Sequence, residues 1–492
     1  MEDGKLKLSN GAATNFILLT AVQVITMMLG LVVTKLLSAH FSLREYGTYS
    51  QAMLVANTAT SLSVLGLTDA TNFFYNRTRD ETLRRVYIAT IFSTQYVAGT
   101  VCGLAILLLR TQIVEYFGND KLENYLLLIA FTPLLNNLIA MYQTLFVSIG
   151  KAKIIVIKNL IVSAVRLLAV LFSCCLFKDI AAILAVILIM DAGQAVYFGF
   201  LFRKYRTPIL IRDAKAALIK EILVFSIPMS VVILTSSLSR DIDKYVISAL
   251  ADTETLALYT NAAKVPPFKI LTSSLVTVLM PVITKMLHLK QYGAVKRVFK
   301  LYLRIEFLLT FILVGGAIAV SENLMRLLFD EKYLAGLPVF VIYLVIDLVQ
   351  FANVTTVLSG AGKTKTLMWV SAATMLCNAV FNVFGYKFWG LAGPAAVTLI
   401  LTVLMAAVLL YLGAKEIRAR VMELFDLREM AAVGLEVAAA GLAAHWLSRC
   451  LGSMRVHYII NLAVCYGSYA AVLGGLNYKR IFACCKELNQ YH

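Results

Sequence analysis

The chain has 492 residues, of which 60% are hydrophobic and only 15% charged, and its mean hydropathy is +0.80. A water-soluble domain carries about 25% charged residues, so this composition excludes a large soluble core and points to a polytopic membrane protein. The net charge of +17 does not indicate nucleic acid, because the basic residues are dispersed over many short loops, where they hold cytoplasmic segments against anionic lipid.

The N-terminal stretch Met1–Asn10 is polar, and the first apolar run is long enough to span a bilayer rather than be cleaved as a signal peptide. At about 20 apolar residues per span, fourteen spans are expected. The first six are 13–38, 46–74, 86–109, 122–149, 154–177 and 180–202. The next six are 218–250, 255–284, 301–320, 333–359, 366–386 and 389–412, and the last two are 430–447 and 457–477. The connections are short and leave no room for a separate soluble domain. With the N-terminus inside, 29 Lys and Arg fall on inside segments and nine on outside segments, which fixes the orientation with both termini cytoplasmic.

An internal repeat supports this count. Glu45-Tyr46-Gly47-Thr48-Tyr49-Ser50-Gln51-Ala52 after the first span matches Thr255-Leu256-Ala257-Leu258-Tyr259-Thr260-Asn261-Ala262 after the seventh. Ser148-Ile149-Gly150-Lys151-Ala152-Lys153 after the fourth matches Ser359-Gly360-Ala361-Gly362-Lys363-Thr364-Lys365 after the tenth. The expected fold is therefore an all-α polytopic membrane protein of about 14 transmembrane helices, with two pseudo-symmetric six-helix halves and two C-terminal helices around a central cavity. The expected domains are 1–217, 218–412 and 413–492, the last holding the extra helices and a cytoplasmic tail.

Charges inside the spans are the candidates for function, since each costs roughly 2.5–3.5 kcal/mol at mid-bilayer. The basic ones are Lys35, Arg166, Arg240, Lys244, Lys264, Lys269 and Arg304. The eighth span carries Lys264 and Lys269 with no acid of its own, and Pro266-Pro267 between them removes two backbone donors and breaks the helix. A broken helix at membrane depth is tolerated where it lines a cavity, so Lys264 is the leading candidate to hold an anion, the alternatives being a pair with an acid on the second or seventh span and snorkelling to the interface. Arg240–Asp243 and Asp241–Lys244 have the spacing of helical ion pairs, which leaves a self-neutralised cluster near the outer face as the competing reading. Asp69, Asp191 and Asp347 are candidates for proton or sodium coupling; the alternative is pairing with Lys35, Arg166 or Arg304. Asn261, with other span amides such as Asn137, Gln194 and Asn378, either binds sugar or holds helices together.

The eight cysteines and five histidines show no metal-ligand spacing, so no metal site and no bound cofactor are expected. Gly360-Ala361-Gly362-Lys363-Thr364 resembles the end of a phosphate-binding loop, but Val357 stands where that motif needs glycine and a span precedes it.

Leu43–Ala52, Asp243-Lys244 with Tyr259, and the Gly-Lys-x-Lys loops at 150–153 and 362–365, in this order and spacing, resemble the multidrug/oligosaccharidyl-lipid/polysaccharide exporter superfamily. Within it, the chain looks most like the polysaccharide-biosynthesis branch, the Wzx-type flippases of O-antigen and related repeat units. One departure is Ala257, which stands where the first-half motif has Gly47. The resemblance implies a bacterial inner-membrane transporter, not an enzyme, that flips an isoprenyl-pyrophosphate-linked oligosaccharide from the inner to the outer leaflet by alternating access. Its partners would be the bilayer, that lipid and the polysaccharide polymerase machinery, in lipopolysaccharide-type synthesis. A peptidoglycan-precursor flippase, a drug/cation antiporter of the same superfamily and a membrane glycosyltransferase or polymerase are the alternatives. The cationic eighth span disfavours the antiporter, and the short outside loops disfavour the enzyme.

Overall fold

The computed structural model describes residues 10–177, 179–205, 209, 211–266 and 268–488. By packing, the chain divides into two compact units, Ile25–Leu258 and Met1–Val24 with Tyr259–His492. Each of the fourteen expected spans lies on helix over most of its length, and no strand occurs among the described residues. Ten continuous segments are long and apolar enough to cross a membrane, one of which, Thr364–Glu416, contains two helices. The first expected span falls on one 31-residue helix, Asn10–His40, and the second, eighth and tenth are each broken.

The chain opens with α1 (Asn10–His40). α2 (Leu43–Ser63) is started by a capping box: the Ser42 hydroxyl accepts from the Glu45 N–H, and the Ser42 N–H donates to the Glu45 carboxylate at 2.9 Å. α2 stops at Val64, because Leu65 (φ 45°) and Gly66 (φ 66°) take left-handed backbone before α3 (Leu67–Arg77) begins. The expected second span is thus two helices. The break frees carbonyls at the end of α2, which water cannot satisfy at membrane depth. Neighbouring amides do so instead. Gln95 donates to the Ser63 carbonyl at 3.1 Å, and Asn137 donates to the Thr60 carbonyl at 3.2 Å and the Ser63 hydroxyl at 2.9 Å. Asn137 is therefore helix-to-helix glue rather than a sugar contact.

Gln95 lies on α4 (Glu81–Leu108), which Asp80 caps through the Thr82 N–H. The short α5 (Arg110–Phe117) ends on left-handed Gly118. α6 (Leu122–Ile129) and α7 (Thr132–Ser148) divide the fourth span, with Pro133 in the first turn of α7, where its missing N–H costs nothing. α8 (Ala152–Leu176) and α9 (Ile180–Tyr205) follow, and α10 (Ile219–Leu250) runs as one helix through Pro228. The core of this unit is formed by Leu67, Phe74, Phe92, Met141, Phe146, Phe198 and Ile222.

α11 (Thr253–Ala262) and α12 (Lys269–His288) are the two pieces of the eighth span. α13 (Tyr292–Ala319) is buried along most of its length and is the centre of its unit. α14 (Ser321–Leu328), α15 (Leu337–Val349) and α16 (Thr356–Gly360) follow, then α17 (Thr364–Trp389) and α18 (Gly393–Glu416). The last two helices, α19 (Leu427–Ser453) and α20 (Tyr458–Leu488), pack on α13, where Gly315 and Gly316 leave room for Val437 and Tyr469. Arg304 of α13 makes a two-point ion pair with Glu429 of α19, at 2.5 and 2.7 Å. Arg304 thus answers to an acid of the extra helices rather than to Asp69, Asp191 or Asp347.

The internal repeat is visible in backbone geometry. α4 and α13 are both 28 residues long, and α5 and α14 are both eight. The two Gly-Lys loops are closed identically. Gly150 (φ 73°) and Gly362 (φ 72°) are left-handed. The Lys151 N–H reaches the Phe146 carbonyl at 2.8 Å, and the Lys363 N–H reaches the Leu358 carbonyl at 2.9 Å. These are helix C-terminal caps, which is why glycine precedes lysine in both loops.

Candidate functional site

The eighth span breaks where Pro266-Pro267 predicts, with α11 ending at Ala262 and α12 starting at Lys269. Pro267 itself lies outside the described residues, as does the side chain of Lys269. α11 is capped by Asp252, whose carboxylate accepts from the Thr255 N–H at 2.7 Å. The Thr255 hydroxyl and then its backbone N–H hold this carboxyl below the usual carboxylate range. Further along, the Ala263 N–H closes on the Tyr259 carbonyl and the Lys264 N–H on the Asn261 carbonyl, at 2.8 and 2.9 Å.

This break is furnished differently from the one in the second span. Asn261 is fully buried, yet neither its amide nitrogen nor its amide oxygen has a hydrogen-bond partner among the described residues. The adjacent Thr260 hydroxyl is likewise unbonded. An unmet buried polar group costs about 1–3 kcal/mol, and here two adjacent side chains leave polar atoms unmet beside the half-buried Lys264. Tyr259, one residue pair earlier, meets Tyr343 of α15 through their hydroxyls at 3.3 Å. Lys264, Asn261 and Thr260 thus place a cation, an amide and a hydroxyl at one interruption of a helix.

The other candidates are placed as follows. Of the two pairs the spacing allows around the end of α10, Asp241–Lys244 forms, at 2.5 Å. Asp243 is buried and accepts from the Lys244 backbone N–H at 2.8 Å, while Arg240 is exposed. Lys35 is half-buried on α1, and Asp347 is buried on α15. Asp69 lies on the second piece of the broken second span. It is exposed in the first turn of α3, just past the break at Gly66, where a carboxylate complements the helix N-terminus.

Arg166 and Asp191 are brought together, at 3.2 Å across α8 and α9. Gln194 donates to the same carboxylate at 3.0 Å and accepts from Lys158 at 3.3 Å. Lys158, at the start of the expected fifth span, is one of the 29 basic residues counted from the sequence on inside segments. The structure corrects this: it lies within α8, only 9% exposed, with its ammonium over the Phe198 ring. The signal that could have found it is its spacing to Arg166, eight residues or about two turns along one helix.

The profile of the family described as "Polysaccharide biosynthesis protein" matches residues 12–287, more than half of the chain. The chain belongs to this family. No curated protein matches it in sequence. Among solved structures, this polysaccharide biosynthesis protein is similar to a lipid II flippase, MurJ, in an inward closed conformation, with TM-score 0.73 and 13% identity over 95% of this chain and 100% of that one. It is also similar to an inward-facing multidrug-resistance MATE transporter of the MOP superfamily, with TM-score 0.64 and 12% identity over 82% of this chain and 98% of that one. A MOP superfamily transporter from Pyrococcus furiosus, whose binding pocket is described as of reversed polarity, gives TM-score 0.55 and 13% identity over 82% of this chain and 95% of that one. These likenesses show the fold, that of a multi-pass all-helical membrane protein.

Proposed function

We propose that this protein flips an isoprenyl-pyrophosphate-linked oligosaccharide, a polysaccharide repeat unit, from the inner to the outer leaflet of a bacterial inner membrane by alternating access. The observation that carries the reading is the broken eighth span, where Lys264 stands beside the buried, unbonded Asn261 amide. A pyrophosphate-linked sugar presents anionic oxygens and many hydroxyls, and this break supplies a partner for each. Membership of the polysaccharide biosynthesis family and the fold shared with a protein named as a lipid II flippase support the reading.

In this proposal Lys264 and Lys269 hold phosphate, with Lys35, Arg166, Arg240 and Lys244 as further cationic contacts and Asn261 facing sugar. Asp69, Asp191 and Asp347 are the groups proposed to couple transport to protons or sodium, and no residue is assigned a catalytic role. Residues 1–217 and 218–412 act as the two repeat halves, with 413–492 appended, and both termini lie in the cytoplasm. The second reading, a peptidoglycan-precursor flippase, is favoured by the 0.73 TM-score to MurJ. Deleting the protein and identifying the lipid-linked intermediate that accumulates on the cytoplasmic leaflet decides between them. Accumulation of an oligosaccharide repeat unit is expected; accumulation of a peptidoglycan precursor would establish the second reading, and unchanged levels of both would overturn flipping altogether.

A further inference from the structure

Lys158, Arg166, Asp191 and Gln194 form a polar cluster between α8 and α9, inside a single packed unit. With two cations to one carboxylate, the cluster carries a net charge of +1. Its donors also outnumber its acceptors. Arg166 spends one terminal nitrogen on Asp191, while its buried Nε has no partner. Lys158 has one hydrogen-bond acceptor, the Gln194 amide oxygen, and a ring face 5.1 Å away. Asp191 and Lys158 are buried, whereas the Arg166 side chain is 39% exposed and is the accessible end of the cluster. What would balance it is one more anionic oxygen at Arg166.

Depth decides which anion. Lys158 and Arg166 lie six and 14 residues past Ala152, or roughly 9 and 21 Å along a helix rising about 1.5 Å per residue. Asp191 lies 11 residues past Ile180, roughly 16 Å along α9 on the same rise. Against a hydrocarbon layer about 30 Å thick, this is the membrane interior. The phosphate of a resident phospholipid stays at the interface. A phosphate at Arg166 belongs to a lipid whose headgroup has left it.

We infer that the α8–α9 cluster is a transit site for the phosphate group of the transported lipid, with Asp191 as a resident counter-ion that the phosphate displaces from Arg166. The carboxylate keeps the guanidinium compensated when the site is empty and competes for it when the site is filled, so that binding stays reversible. This rests on the flippase reading and adds a second phosphate station, on different helices from Lys264.

The test uses the purified full-length protein in neutral detergent, with a fifteen-carbon prenyl pyrophosphate as probe and the matching neutral prenol as control. It is run both in the wild-type background and with Lys264→Ala, so that the broken eighth span is accounted for. Arg166→Gln should weaken probe binding roughly tenfold, the scale of one charge-assisted hydrogen bond, with Arg166→Lys in between. Asp191→Asn, which keeps the shape and an acceptor for Gln194, should tighten it roughly tenfold by removing the competitor. A purely structural ion pair predicts loss of thermal stability in all of these variants and no tightening in any. Affinities within twofold of the parent, or weakening in Asp191→Asn, would overturn the inference. So would equal, equally variant-sensitive binding of phosphatidylglycerol or of inorganic pyrophosphate. The outcome is separable from the flippase reading: accumulation of the lipid-linked intermediate on deletion, with binding indifferent to these residues, sinks the transit site alone.

Discussion

Replacing Gly66 with alanine probes the break in the second span. Gly66 is left-handed, at φ 66° and ψ 12°, and an added Cβ would stand 2.1 Å from the Ser226 carbonyl oxygen of α10. The left-handed conformation costs an L-residue roughly 1–2 kcal/mol. The contact is with backbone, so relief needs a shift of α10 or of the break, at about 1–3 kcal/mol for overpacking of this kind. Together these give about 2–5 kcal/mol, and the shift also strains the bonds from Gln95 and Asn137 to the end of α2. For a unit of this size, at about 2–4 °C per kcal/mol, the loss corresponds to a fall of roughly 4–20 °C in melting midpoint. The assay is thermal unfolding of the detergent-purified protein, followed by intrinsic fluorescence. Gly30→Ala is the control: a Cβ there meets nothing within 4 Å, and a helix-interior alanine is expected to be neutral or to gain up to about 1 kcal/mol. A Gly66→Ala protein melting within a degree of wild type would refute the reasoning.

The remaining predictions concern the eighth span, its cap and the α17–α18 crossing. Lys264→Ala should reduce polymer export at unchanged expression, with Lys264→Arg retaining part of it; full export by Lys264→Ala removes that residue from the site. Asp252→Ala should destabilise α11 by about 1 kcal/mol as a lost N-cap, read by hydrogen exchange at the start of that helix. The folded carboxyl is held below its ordinary 3.8, so this contribution is complete above that pH and is lost as pH falls through the lower folded value. Asp252→Asn should keep most of the cap and lose the pH dependence, and an acid-sensitive α11 in that variant would contradict the assignment. Gly393→Ala should separate α17 from α18, because its Cβ would lie 1.9 Å from the Gly385 carbonyl oxygen. An unchanged melting midpoint in this variant would show that the crossing is looser than drawn.

Much of the architecture was legible because hydropathy and loop charge report directly on membrane crossing. The places of the long helices follow from them, and the two Gly-Lys loops fell at matching places because only glycine takes the left-handed cap before each lysine. The eighth-span break was legible from Pro266-Pro267, whose missing donors have a fixed consequence. The second-span break was not, since Leu65-Gly66 is an unremarkable pair in sequence and becomes a break only through the amides of Gln95 and Asn137 on other helices. For the same reason Lys158 was counted among the inside-segment charges: its burial depends on Gln194 and Phe198 of the next helix. The Arg166–Asp191 pair was among the readings considered, whereas Arg304 turned to Glu429, an acid assigned to a loop. Local chemistry and apolar length are written in the chain, while partner choice among buried polar groups is settled by packing.

The most direct measurement is transbilayer movement itself. Purified protein is reconstituted into liposomes carrying a fluorescent prenyl-pyrophosphate oligosaccharide, and the fraction of label protected from an added impermeant quencher is followed in time. The account predicts that wild-type protein exposes label from the inner leaflet, that Lys264→Ala slows this exposure, and that the same glycan on a neutral prenol linkage is not moved. Exposure no faster than in protein-free liposomes, or equal movement of the charged and neutral lipids, would contradict it.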